Sequence, residues 1–145
     1  MNIIKRGWNW ALSRFFRRLA DAHRHFGNQY SNRREYEAAV SNYTRAASCD
    51  PSYTYVVFSR GVLHWREFGD YPRAIQDLTR VLELDPSYAK AYLNRGLAFK
   101  MQKEYDRAIA DFEHYLEVGT DDFWLEAARI QLAELHGETS EGSDT

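Results

Sequence analysis

Catalysis needs nucleophiles, bases or metal ligands at workable spacing, and this chain of 145 residues offers few. Its histidines are His23, His25, His64, His114 and His136. His23 and His25 stand two apart and point to different sides of a helix. There is no HExxH, CxxC, glycine-rich phosphate loop or GxSxG. The single Cys49 sits at an apolar position just before an Asp-Pro stop, which suits a buried structural thiol, and it has no second cysteine for an internal disulfide. The expectation is a non-enzyme that uses no cofactor and no metal. What remains is the chemistry of recognition. Phe58, Val62 and Trp65 stand at i, i+4 and i+7, so they share one helical face, and an exposed patch of that type suits a partner.

The elements that carry these residues read as helices. Hydrophobic residues make up 44% of the chain, enough for one core, and the 15% of aromatics suits the filling of gaps between helices. The net charge of −2 is unevenly spread: residues 1–25 carry +5 and the rest −7. Basic charge confined to one helix disfavours nucleic acid as a partner. No apolar run approaches the ~18–20 residues that span a bilayer, and no secretory h-region is visible. The reading is a cytoplasmic protein, with contact at the periphery of a membrane as the alternative.

Residues 3–19 form a basic amphipathic helix. Ile4, Trp8, Ala11, Leu12, Phe15 and Leu19 make one apolar stripe, and Lys5, Arg6, Asn9, Ser13, Arg14, Arg17 and Arg18 cover most of the remainder. The stripe has three candidate occupants: the second helix of the same chain, a partner protein or second copy, and an anionic membrane surface. For the last two, Ile4, Lys5, Trp8, Leu12, Phe15, Arg17 and Arg18 are the contact candidates.

A pattern then recurs three times. Phe26-Gly27-x2-Tyr30 leads to Tyr36, Ala39-x3-Tyr43 and Pro51; Arg60-Gly61-x2-His64 to Tyr71, Ala74-x3-Leu78 and Pro86; Arg95-Gly96-x2-Phe99 to Tyr105, Ala108-x3-Phe112 and Thr120. The aromatics Tyr36, Tyr71 and Tyr105 are 35 and 34 apart, and Asp50-Pro51-Ser52-Tyr53 is echoed by Asp85-Pro86-Ser87-Tyr88. Glycine and alanine let two helices of a unit approach, and proline ends each unit. The chain resembles the tetratricopeptide repeat family on this signature. The resemblance implies an all-α, right-handed α-α superhelix, or solenoid. It predicts an N-terminal extension over 1–19, repeats over 20–53, 54–88 and 89–122, a capping helix over 123–136 begun by Asp121 or Asp122, and a disordered tail over 137–145. One extra residue in Arg66-Glu67-Phe68-Gly69 predicts a longer turn in the second repeat, with Gly69 left-handed, and a π-type bulge in the helix is the alternative.

The resemblance also implies a concave groove lined by the first helix of each repeat and occupied by an extended or helical peptide. Its positions here are Arg24 and Asn28; Tyr55, Phe58, Val62 and Trp65; and Lys90, Leu93, Asn94, Leu97 and Met101. Some co-chaperones of the family clamp a peptide's terminal carboxylate with a Lys–Asn, Asn, Lys–Arg set. Arg24 with Asn28, Ser59, and Lys90 with Asn94 match that set in part, and Arg can hold a carboxylate bidentately. The implied function is a scaffold, adaptor or assembly factor that binds another protein's peptide, C-terminal tail or helix. Homo-oligomerisation or membrane anchoring through the N-terminal helix is the alternative.

Overall fold

The two Asp-Pro-Ser-Tyr stops fold alike. Asp50 Oδ1 accepts hydrogen bonds from the Ser52 amide (3.1 Å) and hydroxyl (2.7 Å), and Asp85 Oδ1 from those of Ser87 (3.0 and 2.6 Å). Each aspartate side chain closes the turn that separates one helical hairpin from the next. The computed structural model describes the backbone of residues 2–141 and the side chains of residues 7–137. Over this range the chain forms α1 (Asn2–Tyr30), α2 (Arg33–Cys49), α3 (Thr54–Arg66), α4 (Tyr71–Leu84), α5 (Ala89–Met101), α6 (Tyr105–Val118) and α7 (Asp122–Glu141), with no strand among the described residues.

Helices pack in sequence order: α1 on α2, α3 on α4, α5 on α6, and each pair on the helix that follows. The result is an all-α solenoid of three helical hairpins closed by α7. Small residues permit the close approach within a hairpin. A Cβ on Gly27 would lie 2.7 Å from the Tyr36 ring, and one on Gly96 would lie 2.9 Å from that of Phe112. The second and third hairpins share a polar tie. Arg60 holds both carboxylate oxygens of Asp77 (2.8 and 2.7 Å) and reaches back to Thr44 (3.2 Å); Arg95 does the same with Asp111 (2.8 and 2.7 Å) and Thr79 (3.1 Å). One guanidinium thus fixes a hairpin internally and against the hairpin before it.

Three features decide or refine the sequence reading. First, the apolar stripe of α1 does not pack on α2. Trp8, Leu12, Phe15 and Leu19 are 67%, 42%, 59% and 37% exposed, whereas Ser13 and Ala20 are fully buried. Ser13, Ala20 and Gly27, spaced by seven, form a row small enough for the α2 backbone to approach, and the Ser13 hydroxyl donates to the carbonyl of Ala46 at 2.9 Å. Phe16 fills the space beside them. Second, α3 ends at Arg66 and the longer turn expected after it follows. The extra residue lies in the turn: Gly69 takes φ +64° and the Asp70 amide donates back to the His64 carbonyl at 2.8 Å. This frees Phe68 to fold back onto the α1–α2 core. Third, α7 runs on to Glu141, past the predicted end at His136. Asp121 caps it, accepting from the amides of Phe123 (3.1 Å) and Trp124 (3.3 Å), and no proline follows; Gly137 alone costs about 1 kcal/mol against Ala. Of the predicted tail, residues 142–145 lie outside the described residues, as do the side chains of the predicted contacts Ile4 and Lys5. No described helix is long and apolar enough to cross a membrane.

Candidate functional site

The first helices of the hairpins meet at a cleft of about 370 Å³. From α3 come Phe58, Val62, Trp65 and Arg66; from α5, Lys90, Leu93, Asn94 and Leu97; from α1, Arg24. Tyr115 of α6 and Trp124 of α7 complete the lining. Local geometry holds these side chains in place. Trp65 Nε1–H donates to Asn94 Oδ1 at 3.1 Å, and Asn94 Nδ2 donates to the Lys90 carbonyl at 2.7 Å, so the indole is pinned across two helices. Phe58 packs against Tyr88 with ring centres 5.0 Å apart. Lys100 Nζ donates to Gln131 (2.8 Å) and Glu134 (2.7 Å), which ties α5 to α7 and fixes the wall that carries Trp124.

The cleft's electrostatics are one-sided. Arg24, Arg66 and Lys90 line it, and no carboxylate does. Asp21, beside the cleft, is spent. It pairs with Arg17 at 2.7 Å and with Arg24 at 3.7 Å, and accepts hydrogen bonds from the hydroxyls of Tyr43 and Tyr55. Burial, and then that hydrogen bond, push the Tyr43 hydroxyl far above the usual tyrosine range, so it stays protonated and keeps donating. Apolar rings beside the cations Arg66 and Lys90, with Arg24 shared with Asp21, suit an acidic ligand that carries aliphatic side chains. A larger depression of about 620 Å³ lies between α2, α3 and α4, but Arg60 and Asp77 in its wall already satisfy one another.

Family models described as "TPR repeat" and "Tetratricopeptide repeat" match residues 66–103 and 89–118. The chain is a tetratricopeptide repeat protein. Solved TPR domains share its architecture. The Arabidopsis OM64 TPR domain matches with a TM-score of 0.74 and 25% identity, over 90% of this chain and 98% of that one. The first TPR of Spaghetti (RPAP3), bound to HSP90 peptide SRMEEVD, matches at 0.70 and 25%, over 86% and 95%. The second TPR domain of human RPAP3, in complex with HSP70 peptide SGPTIEEVD, matches at 0.65 and 26%, over 81% and 95%. No curated protein gives a significant sequence match.

Of the positions that the TPR signature assigns to the groove, Arg24, Phe58, Val62, Trp65, Lys90, Leu93, Asn94 and Leu97 come together in the cleft. Three do not line it. Tyr55 is spent on Asp21 and Arg24, Asn28 accepts from the Tyr36 hydroxyl at 3.1 Å, and Met101 points to solvent, 56% exposed. The middle member of the partial clamp also fails: Ser59 is buried. It lies on the face of α3 that meets the core, one residue round from Phe58. On α1, Arg17 turns inward to Asp21, while Arg18 stays exposed. Tyr115 and Trp124 were not legible as groove residues. Neither belongs to a first helix of a repeat: Tyr115 reaches the cleft from α6, and Trp124 because α7 stacks where a further first helix would lie.

Proposed function

We propose that this TPR protein is a non-catalytic adaptor whose cleft binds an extended peptide ending in acidic and aliphatic residues. The observation that carries the reading is the cleft itself: rings and aliphatic side chains from four helices, three cations and no carboxylate. Peptides SRMEEVD and SGPTIEEVD, bound by similar TPR domains, have that chemistry, with paired glutamates, a valine and a terminal aspartate. In this chain Arg24, Arg66 and Lys90 meet the carboxylates, while Phe58, Val62, Leu93 and Leu97 receive the aliphatic side chains. Trp65 and Asn94, locked to each other, form a rigid wall rather than a flexible clamp, and rigidity lowers the entropy cost of binding.

The test is fluorescence anisotropy with labelled SRMEEVD, its C-terminal amide and a Glu-to-Gln form. The acidic peptide should bind best, and Phe58→Ala with Trp65→Ala should weaken it at least about tenfold, with helicity kept in circular dichroism. Equal binding of all three peptides, or an unaffected double variant, would overturn the reading.

A further inference from the structure

The two ends of the solenoid are complementary. On α1, Trp8, Leu12, Phe15, Leu19, Ala22 and Phe26 follow one another at alternating steps of four and three, and all six are exposed. That is the spacing of a seam that receives another helix. Exposed Arg14 and Arg18 flank it. At the other end, the side of α7 turned away from α6 shows Phe123 (71% exposed), Ile130 (50%) and Ala133, with Glu126, paired to Arg129 at 3.2 Å, among them. By sequence, residues 1–25 carry +5, while residues 121–145 hold seven acids and one arginine, a net of −6.

A second observation marks the α1 end as built for contact. In the later hairpins an arginine pairs with Asp77 or Asp111 and reaches the preceding hairpin. At the first hairpin the arginine position holds the exposed Phe26, and the aspartate position holds Asn42, whose Oδ1 is enclosed without a partner. The polar tie to a preceding hairpin has been replaced by an apolar end. Terminal repeats of a solenoid that end in water normally present a polar face.

We propose that the α1 seam receives the outward face of α7 from a second copy of this chain, so that copies stack head to tail. Opposite charge brings the ends together and the apolar rows bury each other. A contact between two different faces joins copies head to tail rather than as a two-fold dimer, so growth continues unless the rotation closes a ring. A bilayer would occupy the α1 seam alone and has no use for the matching apolar face on α7 or for the acidic segment that carries it. The proposal is independent of the peptide reading, because neither face lines the cleft.

The experiment is sedimentation velocity on the full chain, over concentration and salt, with two blocked variants. One is Phe15→Glu with Leu19→Glu; the other is Phe123→Gln with Ile130→Gln. All four positions are exposed, and circular dichroism checks the fold. The wild type should gain weight-average mass about twofold or more with concentration, and lose it as salt shortens the reach of the charges to a few ångströms. Each variant alone should be monomeric. Their equimolar mixture should form a dimer and stop there, because one intact seam meets one intact α7 face. A wild type that stays monomeric at low salt overturns the proposal, as does an α7 variant that still associates, which would indicate α1 pairing with α1. A wild type that remains monomeric yet sediments with phosphatidylserine vesicles overturns it in favour of a membrane surface.

Discussion

At the scale of single residues, the solenoid spends its charged groups on position and leaves a few free for recognition. Arg60 and Arg95 are held by Asp77 and Asp111, and each pair is mostly buried; Arg66 and Lys90 face the cleft. Removing one partner of such a buried pair strands the other charge, so these ties set geometry more than they add net stability. The histidine signature position behaves differently. His64 is 8% exposed, beside Phe68 and in the fields of Asp77, Asp70, Arg60 and Arg73. Burial, the largest effect, holds its pKa below the ordinary 6.5. The folded state therefore keeps the ring neutral while the unfolded chain can protonate it. Its contribution to stability is complete above pH 6.5 and is lost as pH falls from there through the folded value. Urea unfolding of the wild type against His64→Gln should show a stability loss as the pH falls below 6.5 that the variant lacks. Parallel pH profiles for the two proteins would refute a buried, neutral His64.

At the scale of elements, the turns inside the hairpins share one device. Ser31, Gly69 and Lys103 all have positive φ (49°, 64° and 63°), each two residues before the next helix starts. The amides that follow two of them close back onto the carbonyls of Gly27 (3.2 Å) and Phe99 (3.0 Å). This is the left-handed helix stop that glycine suits best, yet two of the three sites hold side chains with a Cβ. A left-handed L residue costs about 1–2 kcal/mol, and glycine's added unfolded entropy returns about 0.5–1 of that. Lys103→Gly should therefore stabilise the protein by about 0.5–1 kcal/mol, read as a rise in the urea midpoint at unchanged slope. An unchanged or lowered midpoint would mean that the Lys103 side chain makes a compensating contact. The elements were largely legible in the sequence, because Asp-Pro stops, paired Gly and Ala, and recurrent tyrosines are local signals with one geometric meaning. The face of α1 was not. Two rows on that helix repeat with nearly the same period, one large and apolar, one small (Ser13, Ala20, Gly27), and hydrophobicity alone selects the wrong one. Backbone approach selects the small row, and nothing short of the packed partner α2 reveals it.

At the scale of the whole molecule, the solenoid is held by three apolar clusters in series rather than one core, so each hairpin depends on its neighbours. The last cluster is completed by α7. Ala128 and Leu135 are fully buried there with Phe112, Tyr115 and Leu93, and the Lys100 tie to Glu134 adds a polar clasp at 2.7 Å. The helix is therefore a structural member that also delivers Trp124 to the cleft, and stability and binding meet in it. Leu135→Ala should cost about 3 kcal/mol through lost burial and the cavity left behind, a fall in Tm on the order of 10 °C for a domain of this size. Phe123→Ala, on the outward side of the same helix, should change stability by less than about 0.5 kcal/mol under conditions where the protein is monomeric. Thermal melts followed by circular dichroism separate the two sides of the helix directly. If Leu135→Ala melts like the wild type, α7 is not docked in solution, and the cleft loses the wall that Trp124 provides. If Leu135→Ala lowers Tm and also weakens the acidic peptide while Phe123→Ala does neither, the capping helix acts through its inner face as the far wall of the groove.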